Sequence, residues 1–287
     1  MLSTMPGKES LVPRIVFYVY AISTIIPCCM TIVSLIPTLF DISIYLKPIS
    51  TALSIFGVLL LTYIFYIALN YIRLHKLRFS DFINRSEIVV SDKISEIDAS
   101  SFRAILEIMG NRIRRIPRRT SPIFIAPLVS VLYIIGHVTV ELASRYVLEI
   151  TPEAFLEFPL SSEALMEFVM YTTTMSIGSI LLLVSVILCI YILHILNRDL
   201  YELESIEDEM ISTLRPLASK IGLKLPYREV NIAKRNTILY AILYIVTLGL
   251  FGVYWVYRVA IRDPEEHVKE DYKVYSELPK ILAITPQ

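Results

Sequence analysis

Five long stretches without a charged residue dominate this sequence and restrict the fold that it can adopt. They are Ile15–Phe40, Pro48–Ile72, Ser121–Val140, Phe168–Asn197 and Asn236–Tyr257. Each supplies the roughly 20 apolar residues that a helix needs to cross about 30 Å of hydrocarbon. Since lipid offers the backbone no hydrogen-bond partners, such stretches become helices. The sequence predicts an all-α, polytopic helical membrane protein with about five hydrophobic segments and cytoplasmic amphipathic helices.

Composition agrees with this class and gives no sign of a reaction. Hydrophobic residues make up 55% of the chain, and 27 Lys+Arg balance 27 Asp+Glu. The three cysteines lie inside the uncharged stretches, where thiols behave as small apolar groups. We find no catalytic, nucleotide-binding or metal-binding motif, so we expect a protein that is not an enzyme and has no cofactor. The only glutamine is Gln287, and this scarcity is typical of a thermophilic, archaeal-like composition.

The charges between the stretches predict an orientation. Residues 73–119 hold 11 Lys/Arg against 6 Asp/Glu, whereas residues 141–167 hold six Glu and only Arg145. Because positive residues near the ends of spans stay in the cytoplasm, we expect a multi-pass protein of the cell membrane with a cytoplasmic N-terminus. The first stretch is too long for the core of a signal peptide, so we interpret it as a retained span.

A weak internal repeat suggests how the chain is divided. Ser100 and Arg103 have the same spacing as Ser212 and Arg215, and each pair is followed by a glycine and a basic residue. The repeat predicts two span-loop-span units of the same orientation. Biased composition could also produce these matches, and a competing match aligns the fourth stretch with the fifth. The predicted division is an N-terminal tail and first helix (1–47), unit 1 (48–141), an acidic external loop (142–167), unit 2 (168–258) and a C-terminal amphipathic helix (259–287).

The fifth stretch allows two interpretations. An ordinary crossing is favoured, although it would place Arg258 and Arg262 outside the cell. The alternative is a re-entrant or interfacial hairpin, because Gly249 and Gly252 interrupt the middle of the stretch. Backbone that turns at membrane depth has to be covered by protein.

His137 and Glu141 are the candidate intramembrane polar pair. They lie four residues apart at the end of the third stretch, so they share a helix face. An ionisable pair at membrane depth is a candidate proton relay or cation site. We favour the simpler interpretation, in which Glu141 lies at the interface and His137 bonds a neighbouring helix.

A basic cluster precedes the third stretch and an acidic segment follows the fourth. The cluster comprises Arg112, Arg114, Arg115, Arg118 and Arg119. Anionic lipid headgroups attract such residues by about 1 kcal/mol each. We also expect at least one of these arginines to pair with an acid of Asp199–Glu209, in preference to divalent-cation binding by that segment. The expected partners are the lipid bilayer, anionic headgroups and other subunits of a homo- or hetero-oligomer, but not nucleic acid.

The segment after the fifth stretch reads as the start of a surface helix, with Asp263 as N-cap and Pro264 at the first position. His267, Glu270 and Asp271 follow, and together they invite a metal interpretation. Their spacing lacks the His-Glu-x-x-His pattern of known zinc motifs, so we favour a solvated helix face.

Small residues mark the fourth stretch as the helix of closest packing. Thr174 and Gly178 lie four residues apart, in the small-xxx-small manner. Because hydrophobicity does not drive association in lipid, close approach at such residues does. We expect this helix at the centre of the bundle or at a subunit contact.

The sequence Thr247-Leu-Gly-Leu-Phe-Gly-Val-Tyr-Trp255 resembles an uncharacterised prokaryotic membrane-domain family with the motif Thr-Leu-Gly-x-Tyr-Gly-x-Tyr-Trp. The resemblance covers residues 236–278, and Phe251 replaces the usual tyrosine. It implies membrane location and carries no activity that could be transferred.

Two functions remain for a protein of this kind. The absence of a reaction motif and the charged segments between spans favour a scaffold or accessory subunit of a membrane assembly. The alternative is a small transporter or channel built from two parallel repeats, with His137 and Glu141 as its polar site.

Overall fold

The computed structural model describes residues 11–34, 40–91, 96–115, 121–149, 162–220, 224, 227 and 232–282. In chain order, the helices are α1 (Arg14–Ser34), α2 (Phe40–Ser91), α3 (Glu96–Arg115), α4 (Ser121–Glu149), α5 (Ser162–Lys220), α6 (Thr237–Val246), α7 (Leu250–Val256) and α8 (Asp263–Leu282). A π-helical segment, Tyr257–Arg262, joins α7 to α8. Over the described ranges the chain forms no strand, which confirms the all-α polytopic class.

Among the described residues, four helices are long and apolar enough to cross a membrane. The corresponding segments are Arg14–Val33, Leu46–Ser80, Ile123–Ser144 and Leu165–Pro216. Helix α2 has 52 residues and α5 has 59. At 1.5 Å per residue they are about 80 and 90 Å long, far more than the roughly 30 Å of hydrocarbon. Both helices therefore carry polar residues well beyond the stretch that lipid can cover.

The chain divides into two compact units, which we name by their composition. The apolar unit comprises residues 18–63 and 121–192, and the polar unit comprises residues 1–17, 64–120 and 193–287. Large apolar side chains are exposed on all four helices of the apolar unit, among them Ile22, Phe56, Phe124 and Ile180. Such a surface is compatible with lipid and not with water.

Within the apolar unit, α4 and α5 touch at two glycines. A Cβ atom added to Gly136 would lie 2.9 Å from the carbonyl oxygen of Gly178, and one added to Gly178 would lie 3.0 Å from that of Gly136. This contact confirms the close packing predicted at Gly178. Thr174, one turn away, is half-buried. The sequence analysis did not identify Gly136 as the partner.

The fifth stretch does not form one continuous helix, as a single ordinary crossing would. Helix α6 ends after ten residues, and a turn at Thr247, Leu248 and Gly249 reverses the chain into α7. Leu248 and Gly249 have φ values of 51° and 91°, in the left-handed region that favours glycine. The ring of Tyr240 on α6 packs edge-on against Trp255 on α7, with centroids 5.3 Å apart. Helices α6 and α7 therefore form a hairpin, and its insertion into the membrane stays a prediction.

The predicted division is modified in two further places. The external loop 142–167 is partly helical, because α4 extends to Glu149 and α5 begins at Ser162; residues 150–161 lie outside the described residues. The matched serine and arginine pairs lie on a separate helix, α3, in the first copy and at the end of α5 in the second. The second copy therefore lacks the closing span of the first, and the duplication itself stays a prediction.

Candidate metal centre

Four ligand-type side chains from three helices meet inside the polar unit. His75 lies on α2, Glu207 on α5, and His267 and Asp271 lie one turn apart on α8. Each of these residues is 0% exposed. Metal-binding residue types of this kind are rarely buried together unless they are paired or bind an ion, because removing charged groups from water is costly.

The ligand atoms converge on one point. His75 Nε2 lies 2.7 Å from Glu207 Oε1 and 3.5 Å from Asp271 Oδ2. His267 Nε2 lies 3.4 Å from Glu207 Oε2 and 3.3 Å from Asp271 Oδ2. The two Nε2 atoms are 3.1 Å apart. Both oxygens of Glu207, one oxygen of Asp271 and one nitrogen from each imidazole thus face the same small volume.

The ligand atoms all lie within 4.8 Å of one another, a spread that a single metal ion can bridge. Four ligands at about 2.0–2.1 Å from a tetrahedral Zn²⁺ lie roughly 3.3 Å from one another. Two imidazoles and two carboxylates are ligands for first-row transition ions, whereas Ca²⁺ and Mg²⁺ prefer oxygen alone. A divalent ion would also balance the charge of the two carboxylates, which reduces the cost of burying them.

A fifth residue, Glu204, orients the His267 imidazole through the ring nitrogen that does not face the other ligands. The Nδ1 atom of His267 makes a short hydrogen bond with a carboxylate oxygen of Glu204, which is 3% exposed. Because an ionised carboxylate only accepts hydrogen bonds, Nδ1 carries the proton and Nε2 is the atom left to bind a metal. Carboxylates behind histidine ligands serve this purpose in many metal sites.

The electrostatic environment of His267 favours a positive charge near the imidazole. Burial by itself lowers the pKa of His267, but the carboxylates of Asp271 and Glu207 and the hydrogen bond with Glu204 outweigh it, so the pKa is raised above its ordinary value. Either a proton or a metal ion can supply that positive charge.

Aromatic side chains enclose the other histidine. Tyr71 and Phe79 lie one turn before and after His75 on α2, with ring centroids 5.8 and 6.4 Å from the imidazole. Both aromatic residues are buried, at 2% and 0% exposure. The surroundings of the centre are therefore apolar and poorly accessible to water, which strengthens electrostatic interactions inside it.

The interpretation of the α8 residues as a solvated face is therefore wrong. His267, Glu270 and Asp271 are 0%, 6% and 0% exposed. Asp263 does not act as a free N-cap either, because the helical backbone is continuous through it and its φ and ψ are −64° and −44°. Its carboxylate pairs instead with Arg235 and Arg258.

The structure does not bring His137 and Glu141 together as a pair. Glu141 Oε2 lies 3.0 Å from Lys47 Nζ, and both side chains are partly exposed. The His137 ring packs against Tyr133, with centroids 5.6 Å apart. Glu141 thus has an ion-pair partner, and its position at the membrane interface stays a prediction.

The predicted pairing of the basic cluster with the acidic segment is confirmed at one residue. Arg112 on α3 forms an ion pair with Glu209 on α5. The side chains of Arg114 and Arg115, and residues Arg118 and Arg119 entirely, lie outside the described part of the chain. Headgroup binding by these four arginines stays a prediction.

Sequence reasoning missed the centre because its ligands are far apart in the chain. His75 and Glu207 are separated by 132 positions, and His267 and His75 by 192. Only the His267/Asp271 pair has a local spacing. The signal that the sequence did contain was the rarity of histidine, with four in 287 residues, one of which, His267, lies among acidic residues.

Comparison of the chain with protein-family models, with curated proteins and with solved structures gives no significant match. The resemblance of residues 236–278 to a prokaryotic membrane-domain family stays an expectation.

Proposed function

We propose that this protein is a membrane metalloprotein that holds one divalent transition-metal ion, with Zn²⁺ the best fit, at His75, Glu207, His267 and Asp271. The observation that carries the proposal is the convergence of four ligand-type side chains, each 0% exposed, whose ligand atoms all lie within 4.8 Å of one another.

The burial of the ligands supports a structural role for the ion. A catalytic zinc site keeps one coordination position open to water or substrate, whereas a structural site is closed by four protein ligands. All four ligands here are fully buried and come from three helices. The ion would tie α8 to α2 and α5, which agrees with the proposal of a non-enzymatic scaffold or accessory subunit.

The test is the metal content of the purified protein. After extraction in a mild detergent and removal of loosely bound metal, elemental analysis is expected to find an equimolar amount of one transition metal. The His267→Gln and Asp271→Asn variants should lose it, while the matched His137→Gln and Glu141→Gln variants should retain it.

Cobalt gives a second readout that does not depend on yield. Protein loaded with Co²⁺ should show the intense visible absorption of a tetrahedral centre, and the His267→Gln variant should not. A wild-type protein that binds neither Zn²⁺, Fe²⁺, Mn²⁺ nor Co²⁺ would contradict the proposal and leave a proton-bridged polar core in its place.

A flux measurement separates the structural role from the transporter alternative. A closed structural site should keep its ion when the protein is reconstituted into vesicles with a metal gradient. Metal uptake that is lost in the His267→Gln variant would replace the scaffold by a transporter.

A further inference from the structure

The residues that flank the fifth stretch meet: Arg235 and Asp263 are in contact although 28 positions separate them. Arg235, just before α6, forms an ion pair with Asp263, the first residue of α8, at 2.5 Å. The two side chains are 7% and 3% exposed, and Arg258 lies 3.3 Å from the same carboxylate. A segment whose ends are joined in this way enters and leaves at the same level, so it cannot cross a bilayer.

The first end is joined to α5 where the uncharged stretch of that helix stops. Asn197, the last residue before Arg198, accepts a hydrogen bond from Arg235 at 2.9 Å. One turn earlier on α5, His194 Nδ1 lies 2.7 Å from Thr237 Oγ1. As the chain advances from Arg235 to Thr237, its partners move backward along α5. Helix α6 therefore starts antiparallel to α5 and points toward the apolar end of that helix.

The second end is joined to α1 where its uncharged stretch starts. Arg14, the residue before that stretch, donates a hydrogen bond to Glu265 at 2.9 Å. The rings of Phe17 and Tyr257 are 5.2 Å apart. Going back along the chain from Glu265 to Tyr257, the partner on α1 changes from Arg14 to Phe17, which lies in the uncharged stretch. The chain therefore approaches the apolar part of α1 as it runs back toward α7, and the end of α7 nearest the turn lies on the apolar side. Both ends of the hairpin thus lie at the boundary between charged and uncharged sequence.

The outer face of the hairpin is apolar and exposed. Ile238 is 73% exposed, Ile245 64%, Val246 72% and Leu248 55%. No charged residue occurs from Asn236 to Tyr257, and the exposed Lys234 lies just before the segment, whereas Arg235 and Arg258 are paired with Asp263. An apolar surface with a cation at its border is what the edge of a bilayer with anionic headgroups accepts.

The inner face of the hairpin is closed by contacts between α6 and α7. A Cβ atom at Gly252 would lie 2.5 Å from the ring of Tyr244, so only glycine allows this approach. Phe251 N donates a hydrogen bond to Thr247 Oγ1 at 2.9 Å, which satisfies the backbone beside the turn. Turning backbone at membrane depth needs such internal partners.

From these contacts we infer that α6 and α7 form a re-entrant hairpin that inserts into one leaflet, with the exposed face of α6 in contact with lipid acyl chains. The ten residues of α6 extend about 15 Å, half of the roughly 30 Å hydrocarbon thickness. With one crossing by each of the four long helices in the described ranges, the start of α1 and helix α8 lie on the same side of the membrane. This inference does not depend on the metal centre.

The fluorescence of a single tryptophan measures how deeply the turn between α6 and α7 lies in the membrane. The chain has one tryptophan, Trp255, so the substitution Trp255→Phe removes all intrinsic tryptophan fluorescence. In that background, the fluorescence of a tryptophan introduced by Leu248→Trp is expected to be quenched by lipids brominated on their acyl chains. The same fluorescence should be protected from quenching by aqueous iodide. The matched variant Tyr272→Trp, on the exposed face of α8 (68%), should show the opposite. Iodide quenching of both variants to the same extent would overturn the inference.

Labelling from one side distinguishes re-entry from crossing. In a background with Cys28, Cys29 and Cys189 replaced by alanine, Lys234→Cys and Tyr272→Cys are labelled separately in sealed vesicles with a membrane-impermeant maleimide. Both positions should react from the same side. Reaction from opposite sides would show that the segment crosses and would overturn the hairpin, whatever the metal content of the protein.

Discussion

At the scale of single residues, Glu204 shows how a side chain outside the ligand set can control it. Its carboxylate bonds His267 Nδ1, so His267 Nε2 faces the other ligands. We expect Glu204→Gln to weaken metal binding by about 10- to 100-fold, since outer carboxylates usually contribute that much. A competition titration with a metal indicator measures the change. Glu202→Gln is the matched control, because Glu202 is 40% exposed and lies near Arg198 instead; an equal loss in both variants would contradict the prediction.

Asp263 is the residue on which two buried cations depend. It pairs with Arg235 at 2.5 Å and with Arg258 at 3.3 Å, and it is almost fully buried. Removing one partner of such a pair leaves uncompensated charge, so Asp263→Asn should lower the free energy of unfolding by about 3–5 kcal/mol. Denaturant titration of the detergent-solubilised protein measures this.

The nearby pair of Arg262 and Glu266 supplies the control. Both side chains are about one-third exposed or more, at 50% and 34%. Exposed pairs contribute about 0–1 kcal/mol, so Glu266→Gln should change stability very little. If Asp263→Asn were as mild as Glu266→Gln, the ion pair at the base of the hairpin would not be important for stability.

At the scale of helices, the contact between Gly136 and Gly178 sets how closely α4 and α5 approach. A Cβ at Gly178 would lie 3.0 Å from backbone atoms of both Gly136 and Val140. Backbone cannot move aside as a flexible side chain can, so Gly178→Ala should destabilise the protein by about 1–3 kcal/mol. Thermal unfolding in detergent checks this. Ser179→Ala, at the exposed neighbouring position, should have little effect, and equal shifts would argue against the glycine contact.

Periodicity and charge were enough to predict that four of the five apolar segments form single long helices. They did not predict that the fifth is divided into α6 and α7. An uncharged run specifies that its backbone must be helical, but it does not specify whether the chain continues or turns. In Asn236–Tyr257, the turn depends on glycine at a left-handed position and on the pairing of Arg235 with Asp263. The first is visible in the sequence. The second is a contact between two chain ends, which only the fold brings together.

At the scale of the whole molecule, the candidate metal centre combines three helices that are remote in sequence. Local spacing could identify only His267 and Asp271, and by itself that pair is as typical of a solvated helix as of a metal site. What distinguishes the two is burial, and the burial of α8 depends on α2 and α5 being helical well past their uncharged stretches. By contrast, charge alone was enough to predict that an arginine of the basic cluster pairs with an acid of Asp199–Glu209, because opposite charges were expected on the same side of the membrane; the structure identifies the pair as Arg112 and Glu209.

Removing the metal should loosen one part of the protein and leave the other unchanged. Two of the four ligands are on α8, so a chelator should increase hydrogen exchange across the described part of that helix, Asp263–Leu282. An ion held at 100 times its dissociation constant stabilises the site by about 2.7 kcal/mol, and that is the size of the protection expected to be lost. Exchange in α4 should not change, because it contributes no ligand.

The His267→Gln variant is the control for this experiment. Hydrogen exchange in its α8 should already be rapid, and the chelator should not increase it further. Equal changes in α4 and α8 would mean that the chelator acts on the whole protein and not through this centre.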